Sequence, residues 1–376
     1  MELQGTPVQY IAVILLTAAG MVQAWFYFRY YLKPARHEAA EEANHNAPVS
    51  VIICARNEAV NLKQYLPSIL EQDHPDYEVI VVNDCSEDGT DMVLAELKAV
   101  YPHLKISTIN KDPRFLHNKK LAQLIGIKAA KNEILLLTDA DCQPESETWL
   151  RQMTAPLANG KEIVLGYGGY FRAGGLLNSY IRYDTMFIAM QYTGLAMSGL
   201  PYMGVGRNLA YRKDLFMRSN GFSSHYHIPS GDDDLFVNAN ATAGNTSVVL
   251  GNGSFTRSVP ATSLKQFIRQ KRRHMTTATH YRPGDRLRLL AEPLSRVLFL
   301  AAATVMIAGK YLWPVAVSMV AAMLIVKLVV FHFAGRKFGE KGLTIAAIFY
   351  DICSPIFNTL FYIAKFGKQD ARKAWR

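Results

Sequence analysis

Two carboxylates stand two residues apart at Asp139 and Asp141, directly after the apolar run of residues 133–138, which has the composition of a buried strand. At the end of a strand, both side chains can reach one divalent cation. Mg²⁺ and Mn²⁺ take oxygen ligands and often share them with substrate phosphates. The pair therefore predicts a metal-bound diphosphate and a group-transfer reaction. The alternative is a solvated acidic turn.

A second acidic cluster consists of Asp232, Asp233 and Asp234, directly before residues 235–241, which are predicted to be helical. A carboxylate can act as the general base that takes a proton from an acceptor hydroxyl. Repulsion among three adjacent carboxylates is expected to raise the pKa of one of them. The alternative is a helix N-terminus, where acidic side chains interact favourably with the dipole, and both interpretations can hold together.

Short apolar strands alternate with helices through the first half of the region between residues 48 and 260. The predicted strands cover residues 49–54, 78–83, 105–109 and 133–138, and the predicted helices cover residues 57–72, 91–101 and 118–130. This alternation predicts an α/β fold with a parallel sheet and helices on both faces. Ligands of such sheets bind at the carboxyl ends of the strands, where Arg56-Asn57-Glu58, Asp84 and the Asp139–Asp141 pair all fall.

The composition favours a membrane protein. The 376 residues carry a formal charge of +10, yet 50% of them are hydrophobic, and we find no nucleic-acid-binding motif, so nucleic acid is not an expected partner. Residues 8–28 are uncharged and long enough to span a bilayer, and Arg29, Lys33 and Arg36 follow them. The positive-inside rule then predicts an anchor with the following chain in the cytoplasm. A signal peptide fits less well, because no positive charge precedes the apolar segment.

Three further apolar blocks lie near the C-terminus. Residues 298–309 and 311–333 predict a transmembrane hairpin that returns to the cytoplasm through a basic loop. Residues 343–364 are apolar but contain Asp351 and Pro355, and a basic tail follows. If that tail is cytoplasmic, the block does not simply cross the bilayer, so we expect a re-entrant or interfacial segment.

Seven short motifs, in this order, make the region from about residue 48 to 280 resemble a membrane-bound, inverting glycosyltransferase of family 2 with the GT-A fold. That branch includes ceramide glucosyltransferases and polysaccharide synthases. The matching motifs are Val51-Ile-Ile-Cys-Ala-Arg-Asn-Glu58, Val81-Val-Asn-Asp-Cys-Ser-Glu-Asp-Gly-Thr90, Lys119 with Gly126-Ile127, Leu137-Thr-Asp-Ala-Asp141, Gly206-Arg-Asn-Leu-Ala-Tyr-Arg-Lys213, Gly231-Asp-Asp-Asp-Leu235 and Gln270-Lys-Arg-Arg-His274.

The resemblance implies a nucleotide-sugar donor, with UDP as the expected nucleotide. Asp84 would meet the base, with Asn57 and Glu58 nearby. Lys119 would approach the nucleotide or its phosphates; an ordinary lysine at a helix start is the alternative for that residue.

The same resemblance implies a divalent cation, Mg²⁺ or Mn²⁺, ligated by Asp141. Asp139 would contact the ribose or share the metal. Alignment on Leu235 makes Asp232 the general base, with Asp233 as the second candidate.

The motif that ends at His274 departs from the family, which usually has Trp at that place. Gln270 and Arg273 would bind the donor diphosphate, since a guanidinium suits paired phosphate oxygens. His274 and Asn208 are expected on the acceptor side. A structural turn is the alternative for Asn208, and the missing Trp weakens the prediction of polymer synthesis.

Basic residues recur over residues 257–288, and residues 263–275 have apolar side chains at helical spacing. This predicts an amphipathic helix on the cytoplasmic leaflet, with a solvated basic helix as the alternative. The predicted domains are an anchor (1–36), a cytoplasmic GT-A domain (48–260), basic interfacial helices (261–292) and a C-terminal membrane region (293–376). The expected location is the inner or plasma membrane.

The leading hypothesis is sugar transfer from a nucleotide donor to a lipid or glycan acceptor at the membrane. A processive polysaccharide synthase is the nearest rival, although two or three embedded segments are few for a channel. A nucleotide-sugar-binding protein without transferase activity is less favoured, because the acidic residues of the motifs are all present. A nucleotidyltransferase would normally have a Gly-rich phosphate loop near the first strand, which we do not find.

Overall fold

The computed structural model describes residues 5–37, 45–111, 118–228 and 230–363. Its strands are β1 (Val49–Ala55), β2 (Tyr77–Asp84), β3 (Leu104–Ile109), β4 (Ile134–Asp139), β5 (Cys142–Pro144), β6 (Ile163–Leu165), β7 (Gly168–Tyr170), β8 (Leu209–Arg212), β9 (Thr246–Val248) and β10 (Thr256–Ser258). Its α-helices are α1 (Pro7–Phe26), α2 (Leu32–Ala35), α3 (Ala59–Leu70), α4 (Thr90–Val100), α5 (Lys119–Ala129), α6 (Trp149–Ala158), α7 (Leu176–Ala196), α8 (Lys213–Arg218), α9 (Asp234–Asn240), α10 (Leu264–Thr277), α11 (Pro283–Ala308), α12 (Trp313–Lys337) and α13 (Thr344–Ile363).

The main sheet has seven strands in the order β3-β2-β1-β4-β8-β6-β9. The first four run parallel, as the alternating pattern predicts. Every residue of β1 is buried, and apolar clusters cover both faces of the sheet, which explains why its central strands are continuous apolar runs. The α/β fold prediction is confirmed.

Strand β8 departs from the parallel expectation, because it runs antiparallel to both β4 and β6. Its first residue, Leu209, pairs with Leu137 near the carboxyl end of β4, and its last, Arg212, pairs with Ile134. The chain therefore enters β8 from the carboxyl edge, after the long excursion through α7. For β8 to pair in parallel with β4, the chain would need a crossover connection that returned it to the opposite edge of the sheet.

A second sheet of three strands, in the order β5-β10-β7, lies beside the site edge of the main sheet. Each strand is only three residues long, so the sequence carries no periodic signal for it. β10 pairs antiparallel with β5 and parallel with β7. This small sheet joins segments that are more than a hundred residues apart.

Four helical segments of the described chain are long and apolar enough to cross a membrane: Pro7–Ala35, Pro283–Ala308, Trp313–Lys337 and Thr344–Ile363. The first includes a π-helical turn, Tyr27–Tyr31, between α1 and α2. α1, α11 and α12 pack through a cluster of small and apolar side chains that includes Leu16, Phe299 and Met306. These helices fit a membrane protein.

The fourth segment, α13, packs against α12 and also lies along α7 and α10. The ring of Tyr180 in α7 lies 5.3 Å from Tyr350 and 5.6 Å from Phe357, measured between centroids. Phe361 lies 5.9 Å from Phe267 of α10. The basic tail, residues 365–376, lies outside the described residues.

The predicted domain boundaries stay predictions. α11 is continuous across the predicted boundary between residues 292 and 293, because its first half packs beside the sheet-containing region and its second half joins the membrane helices. Asp285 near its start, for example, accepts a hydrogen bond from Asn238 of α9.

Candidate active site

The carboxyl edge of the sheet brings the two acidic clusters together. Asp139 is the last residue of β4, and Lys119 is the first residue of α5, whose N-terminus is capped by the Asn118 side chain. The Lys119 ammonium lies 2.7 Å from Asp139 Oδ1 and 3.3 Å from Asp232 Oδ2. Lys119 therefore stands between the carboxylate at the end of β4 and the carboxylate before α9.

Asp141 follows β4 and is held from the side of the small sheet. Its Oδ2 accepts a 2.7 Å hydrogen bond from Ser258 Oγ in β10. Burial and the neighbouring Asp139 carboxylate raise the pKa of Asp141. Such an environment favours a positive charge placed near Asp141, which would compensate the buried carboxylate.

Asp139, Asp141 and Cys142 each offer one ligand atom, and these atoms lie within 4.8 Å of one another. Burial raises the pKa of Cys142 well above its ordinary value, so its thiol keeps its proton. The two carboxylates remain as oxygen ligands, which suits a hard divalent cation that completes its coordination with substrate oxygens. The residues present therefore fit a Mg²⁺ or Mn²⁺ ion.

The three consecutive aspartates have different partners. Asp234 is buried and accepts hydrogen bonds from Thr277 Oγ1 and, at 2.7 Å, from Tyr281 Oη. Asp233 accepts backbone N–H groups from Gly206 and Asp234, each at 2.7 Å. Asp232 is the member whose carboxylate faces Lys119. Asp232 differs from its two neighbours because its carboxylate faces the Lys119 ammonium within the cavity.

The pKa values of this cluster diverge accordingly. Burial and the carboxylates of Asp232 and Asp234 raise the pKa of Asp233 to about 7. Burial also acts to raise the pKa of Asp232, but the Lys119 ammonium and Arg273 guanidinium outweigh it, so the pKa is lowered. Asp232 is therefore ionised at neutral pH and can accept a proton.

These groups line one end of a cavity of about 340 Å³. Lys119, Asp139, Asp141, Asp232 and Arg273 form its polar end. The cavity continues between α7, α10 and the start of α11, where polar side chains such as Asp184, Gln191 and Lys271 line it together with apolar ones: Ile188, Ala189, Tyr192, Met203, Phe267, Met275 and Leu289. The acidic groups thus share one cavity with apolar side chains of α7, α10 and α11.

Asn57, Glu58 and Asp84 lie at the carboxyl ends of β1 and β2, outside the residues that line this cavity in the described chain. The two loops are joined by hydrogen bonds, including Glu87 N to Asn57 Oδ1 at 2.8 Å. Asn57 adopts a φ of 56°, a left-handed conformation that asparagine tolerates better than most residues. Burial raises the pKa of Glu58 to about 7, and the Asp141 and Asp139 carboxylates add to the shift.

Asn208 does not lie where the sequence analysis expects it. It is fully buried, its Oδ1 accepts from Trp149 Nε1 at 2.9 Å, and its Nδ2 donates to the carbonyls of Tyr167 and Ser254. All its polar atoms are engaged by protein groups behind the cavity wall. The structural alternative therefore describes Asn208 better than an acceptor-side role.

The C-terminal motif lies on α10 and reaches the cavity. Gln270, Arg273 and His274 line it, and Gln270 Nε2 donates to Tyr170 Oη at 2.8 Å. The side chain of His274 lines the cavity in the position where the family usually has Trp.

Sequence reasoning missed two pairs of side chains in the cavity wall. The Arg207 guanidinium stacks 4.3 Å from the ring centroid of Tyr170, and the Lys271 ammonium contacts the Asp184 carboxylate at 2.5 Å. Arg207 belongs to a motif that the sequence analysis quotes, so its charge was an available signal. The sequence contains no signal for Tyr170 and Asp184, because only the tertiary structure brings them beside the motifs.

Comparison with known proteins agrees with this geometry. Glycosyl transferase family 21 matches residues 12–376. A glycosyltransferase of Haloferax volcanii, AglE, is 31% identical over 120 residues, which cover 31% of this chain and 38% of the relative. A β-monoglucosyldiacylglycerol synthase of Trichormus variabilis is 27% identical over 142 residues, which cover 34% of this chain and 30% of the relative. The chain thus spans well under half the length of these curated relatives.

Among solved structures, a mannosyltransferase of Pyrobaculum calidifontis, PcManGT, in complex with GDP-Man and Mn²⁺, is similar with a TM-score of 0.59. The sequences are 20% identical, and the match covers 92% of this chain and 99% of the other. The likeness supports the GT-A type of fold, and the resemblance to family-2-type glycosyltransferases is confirmed. Because the family match runs over nearly the whole sequence, the chain belongs to glycosyl transferase family 21.

Proposed function

We propose that the protein transfers one sugar from a nucleoside diphosphate donor, with UDP as the first candidate, to the hydroxyl group of a membrane lipid, with inversion at the anomeric carbon. One observation carries the proposal. The Asp139–Asp141 pair and Asp232 share one cavity with apolar side chains of α7, α10 and α11, and α11 is one of the helices long and apolar enough to cross a membrane. A polar donor and an amphipathic acceptor can meet in such a space.

On the donor side, Asp139 and Asp141 would hold a divalent cation, which would stabilise the charge that develops on the leaving diphosphate. The Mn²⁺ in the similar mannosyltransferase complex supports this assignment. Lys119, Arg273 and Gln270 line the same cavity and would contact the diphosphate. Asp84, with Asn57 and Glu58, receives the base and ribose at the edge of β1 and β2.

On the acceptor side, Asp232 takes the proton from the acceptor hydroxyl while the hydroxyl oxygen bonds to the anomeric carbon. The bond from that carbon to the diphosphate oxygen breaks at the opposite face, which inverts the configuration. When Lys119 turns towards the diphosphate, Asp232 loses its counterion and becomes a stronger base. Asp233 orients the loop through its two backbone contacts, and His274 lies near the acceptor path.

A lipid acceptor is favoured over a growing polysaccharide by the apolar lining between α7, α10 and α11. A relative named for the synthesis of a glucosyldiacylglycerol is consistent with this choice. The processive alternative retains support from a second relative, a poly-β-1,6-N-acetyl-D-glucosamine synthase of Staphylococcus epidermidis, 26% identical over 135 residues. We place the donor site in the cytoplasm, where nucleotide sugars are made.

The test is to incubate the detergent-extracted protein with a panel of nucleotide sugars and a lipid extract, and to measure released nucleoside diphosphate and glycolipid. Asp232→Asn is expected to lower transfer by roughly 10²–10⁴-fold while the protein still binds donor. Asp141→Ala is expected to abolish metal-dependent transfer.

The exposed Lys341, outside the cavity, provides a control variant, Lys341→Gln. Transfer that survived both aspartate substitutions would reject the site, and a ladder of long glycan products would favour the processive synthase.

A further inference from the structure

We propose that Glu340, in the loop between α12 and α13, is a positioning residue for Asp141. The inference rests on the proposed role of Asp141 in metal binding. It gives the last two apolar helices a part in the reaction beyond anchoring, because their connecting loop supports one wall of the site.

Glu340 is 1% exposed, although it is a charged residue in a short loop. Its Oε1 accepts hydrogen bonds from Arg257 Nη1 and, at 3.1 Å, from Tyr167 Oη. Its Oε2 accepts from Arg182 Nε at 2.6 Å. A buried carboxylate that satisfies two guanidinium groups is well determined in position, since moving it would leave buried charges unpaired.

Consecutive side chains of β10 point to opposite faces of the strand, and this alternation connects the loop to the site. Arg257 points from the strand to Glu340, and the next residue, Ser258, points to the opposite face and donates to Asp141 Oδ2 at 2.7 Å. Ser258 also pairs in register with Cys142, the residue after Asp141. The position of one three-residue strand therefore determines the hydrogen bond that orients the candidate metal ligand.

The loop contacts Arg257 in two further ways. Arg257 Nη2 donates to the backbone carbonyl of Phe338 at 2.7 Å. Gly339 has a φ of 70°, and a Cβ there would lie 2.6 Å from the same Nη2 atom. Glycine is thus needed for the loop conformation and for the close approach of the guanidinium. The loop and the Arg257 guanidinium are therefore in close, specific contact.

The experiment measures Mn²⁺ binding to the purified, full-length protein by the electron paramagnetic resonance signal of free Mn²⁺, without turnover. Glu340→Gln keeps the size of the side chain and removes its charge. Direct partners of metal ligands, such as Ser258 here, typically contribute roughly 10–100-fold to affinity, so we expect Mn²⁺ binding weakened by up to that factor, with partial recovery in Glu340→Asp. Lys341→Gln, one residue away and exposed, is the matched control and should bind Mn²⁺ as wild type does.

A double-mutant cycle separates positioning from general destabilisation. Ser258→Ala removes only the hydroxyl that contacts Asp141. If Glu340 acts through Ser258, the double variant should bind Mn²⁺ with about the same affinity as whichever single variant has the lower affinity. If the two losses multiplied, or if Glu340→Gln lowered the melting temperature with wild-type Mn²⁺ affinity, the inference would be overturned.

Two controls keep the outcomes distinct. Asp141→Ala should abolish Mn²⁺ binding; if it does not, the proposed metal site itself is wrong. If Asp141→Ala abolishes binding and Glu340→Gln leaves it intact, only the positioning role fails. Should Glu340→Gln not fold, Arg257→Lys provides the same measurement with the charge retained and the paired hydrogen bonds lost, and wild-type affinity in that variant would reject the inference.

Discussion

At the scale of single residues, neighbouring side chains of one type have been given different properties by their surroundings. Asp234 is held by Thr277 and Tyr281, Asp233 caps backbone N–H groups, and Asp232 faces Lys119 in the cavity. Three adjacent carboxylates could not all be charged and unpartnered in a buried site. The arrangement gives Asp232 an ammonium partner in the cavity, whereas Asp233 and Asp234 accept hydrogen bonds from backbone N–H and hydroxyl groups.

The raised pKa of Asp233 predicts a pH dependence of stability. The folded protein keeps a proton there up to about pH 7, whereas the unfolded chain releases it near its ordinary value. The stabilisation by this group is therefore complete at low pH and is lost between about pH 4 and about pH 7, on the order of 4 kcal/mol at most. Asp233→Asn cannot titrate, so its melting temperature should fall less than that of wild type over this range. If the melting temperatures of wild type and Asp233→Asn changed with pH in parallel, the raised pKa of Asp233 would be contradicted.

Asn208 provides a second prediction at this scale. Asn208→Ala removes the partner of Trp149 Nε1 and of two backbone carbonyls, so we expect a loss of unfolding free energy on the order of 2–4 kcal/mol. Thermal unfolding measures this loss. The KM for the acceptor should stay unchanged in the enzyme that remains folded. An unchanged melting temperature with a raised acceptor KM would instead favour the acceptor-side role.

At the scale of elements, α13 combines a protein-facing side with an unusually apolar outer side. Tyr350, Asp351 and Ser354 are buried, while Ile345 and Phe349 are 83% and 61% exposed. Both the middle and the end of the helix contact rings of α7 and α10, as the distances above show. We propose that α13 lies in the interface, with its apolar side towards lipid, while Asp351 on its buried side pairs with Arg296 of α11 and Lys327 of α12.

The interfacial arrangement predicts which side of the membrane each helix end occupies. In a variant without the four native cysteines, a cysteine at Ile363 should react with a membrane-impermeant maleimide from the same side as one at the exposed Val100 in α4. A cysteine at Lys310, in the turn between α11 and α12, should react from the opposite side. Labelling of the Ile363 and Lys310 positions from one side would mean that α13 crosses.

At the scale of the whole molecule, a buried cluster of charges joins the membrane helices to the sheet-containing region. The Asp351 carboxylate of α13 contacts Lys327 of α12 at 2.6 Å and Arg296 of α11 at 2.8 Å. It also accepts hydrogen bonds from Tyr27, after α1, and from Tyr183 of α7, both at 3.3 Å. Five segments therefore meet at one carboxylate, which explains how an acidic residue is accommodated in an apolar helix.

Removing one charge from this cluster should destabilise the protein more than removing a pair. Asp351→Leu leaves Lys327 and Arg296 facing each other in a buried site, which costs roughly 3–5 kcal/mol. The additional change Lys327→Met should recover much of the lost melting temperature, because Arg296 keeps Glu292 as its partner. Thermal unfolding in detergent measures both variants. A double variant less stable than Asp351→Leu would contradict the pairing.

The sequence by itself determined the elements of the parallel half of the sheet, to within about two residues at each end. It also placed Asn57, Asp84 and Asp139 at strand ends, and its ordered motifs indicated the family. These features depend on side-chain periodicity and near neighbours, which a linear pattern contains. A short strand such as β10 has too few residues for any periodicity, so its place in a second sheet was not predictable.

Only the tertiary structure decided the environment of each side chain. It separated Asp232 from Asp233, moved Asn208 out of the acceptor path, and brought Ser258 to Asp141 and Glu340 to Arg257. The partners in these contacts lie far apart in the sequence: Gly206 and Asp233 are 27 residues apart, and Ser258 and Asp141 are 117 residues apart. Burial, hydrogen-bond direction and pKa depend on what packs from distant parts of the chain, and local sequence patterns do not carry that information.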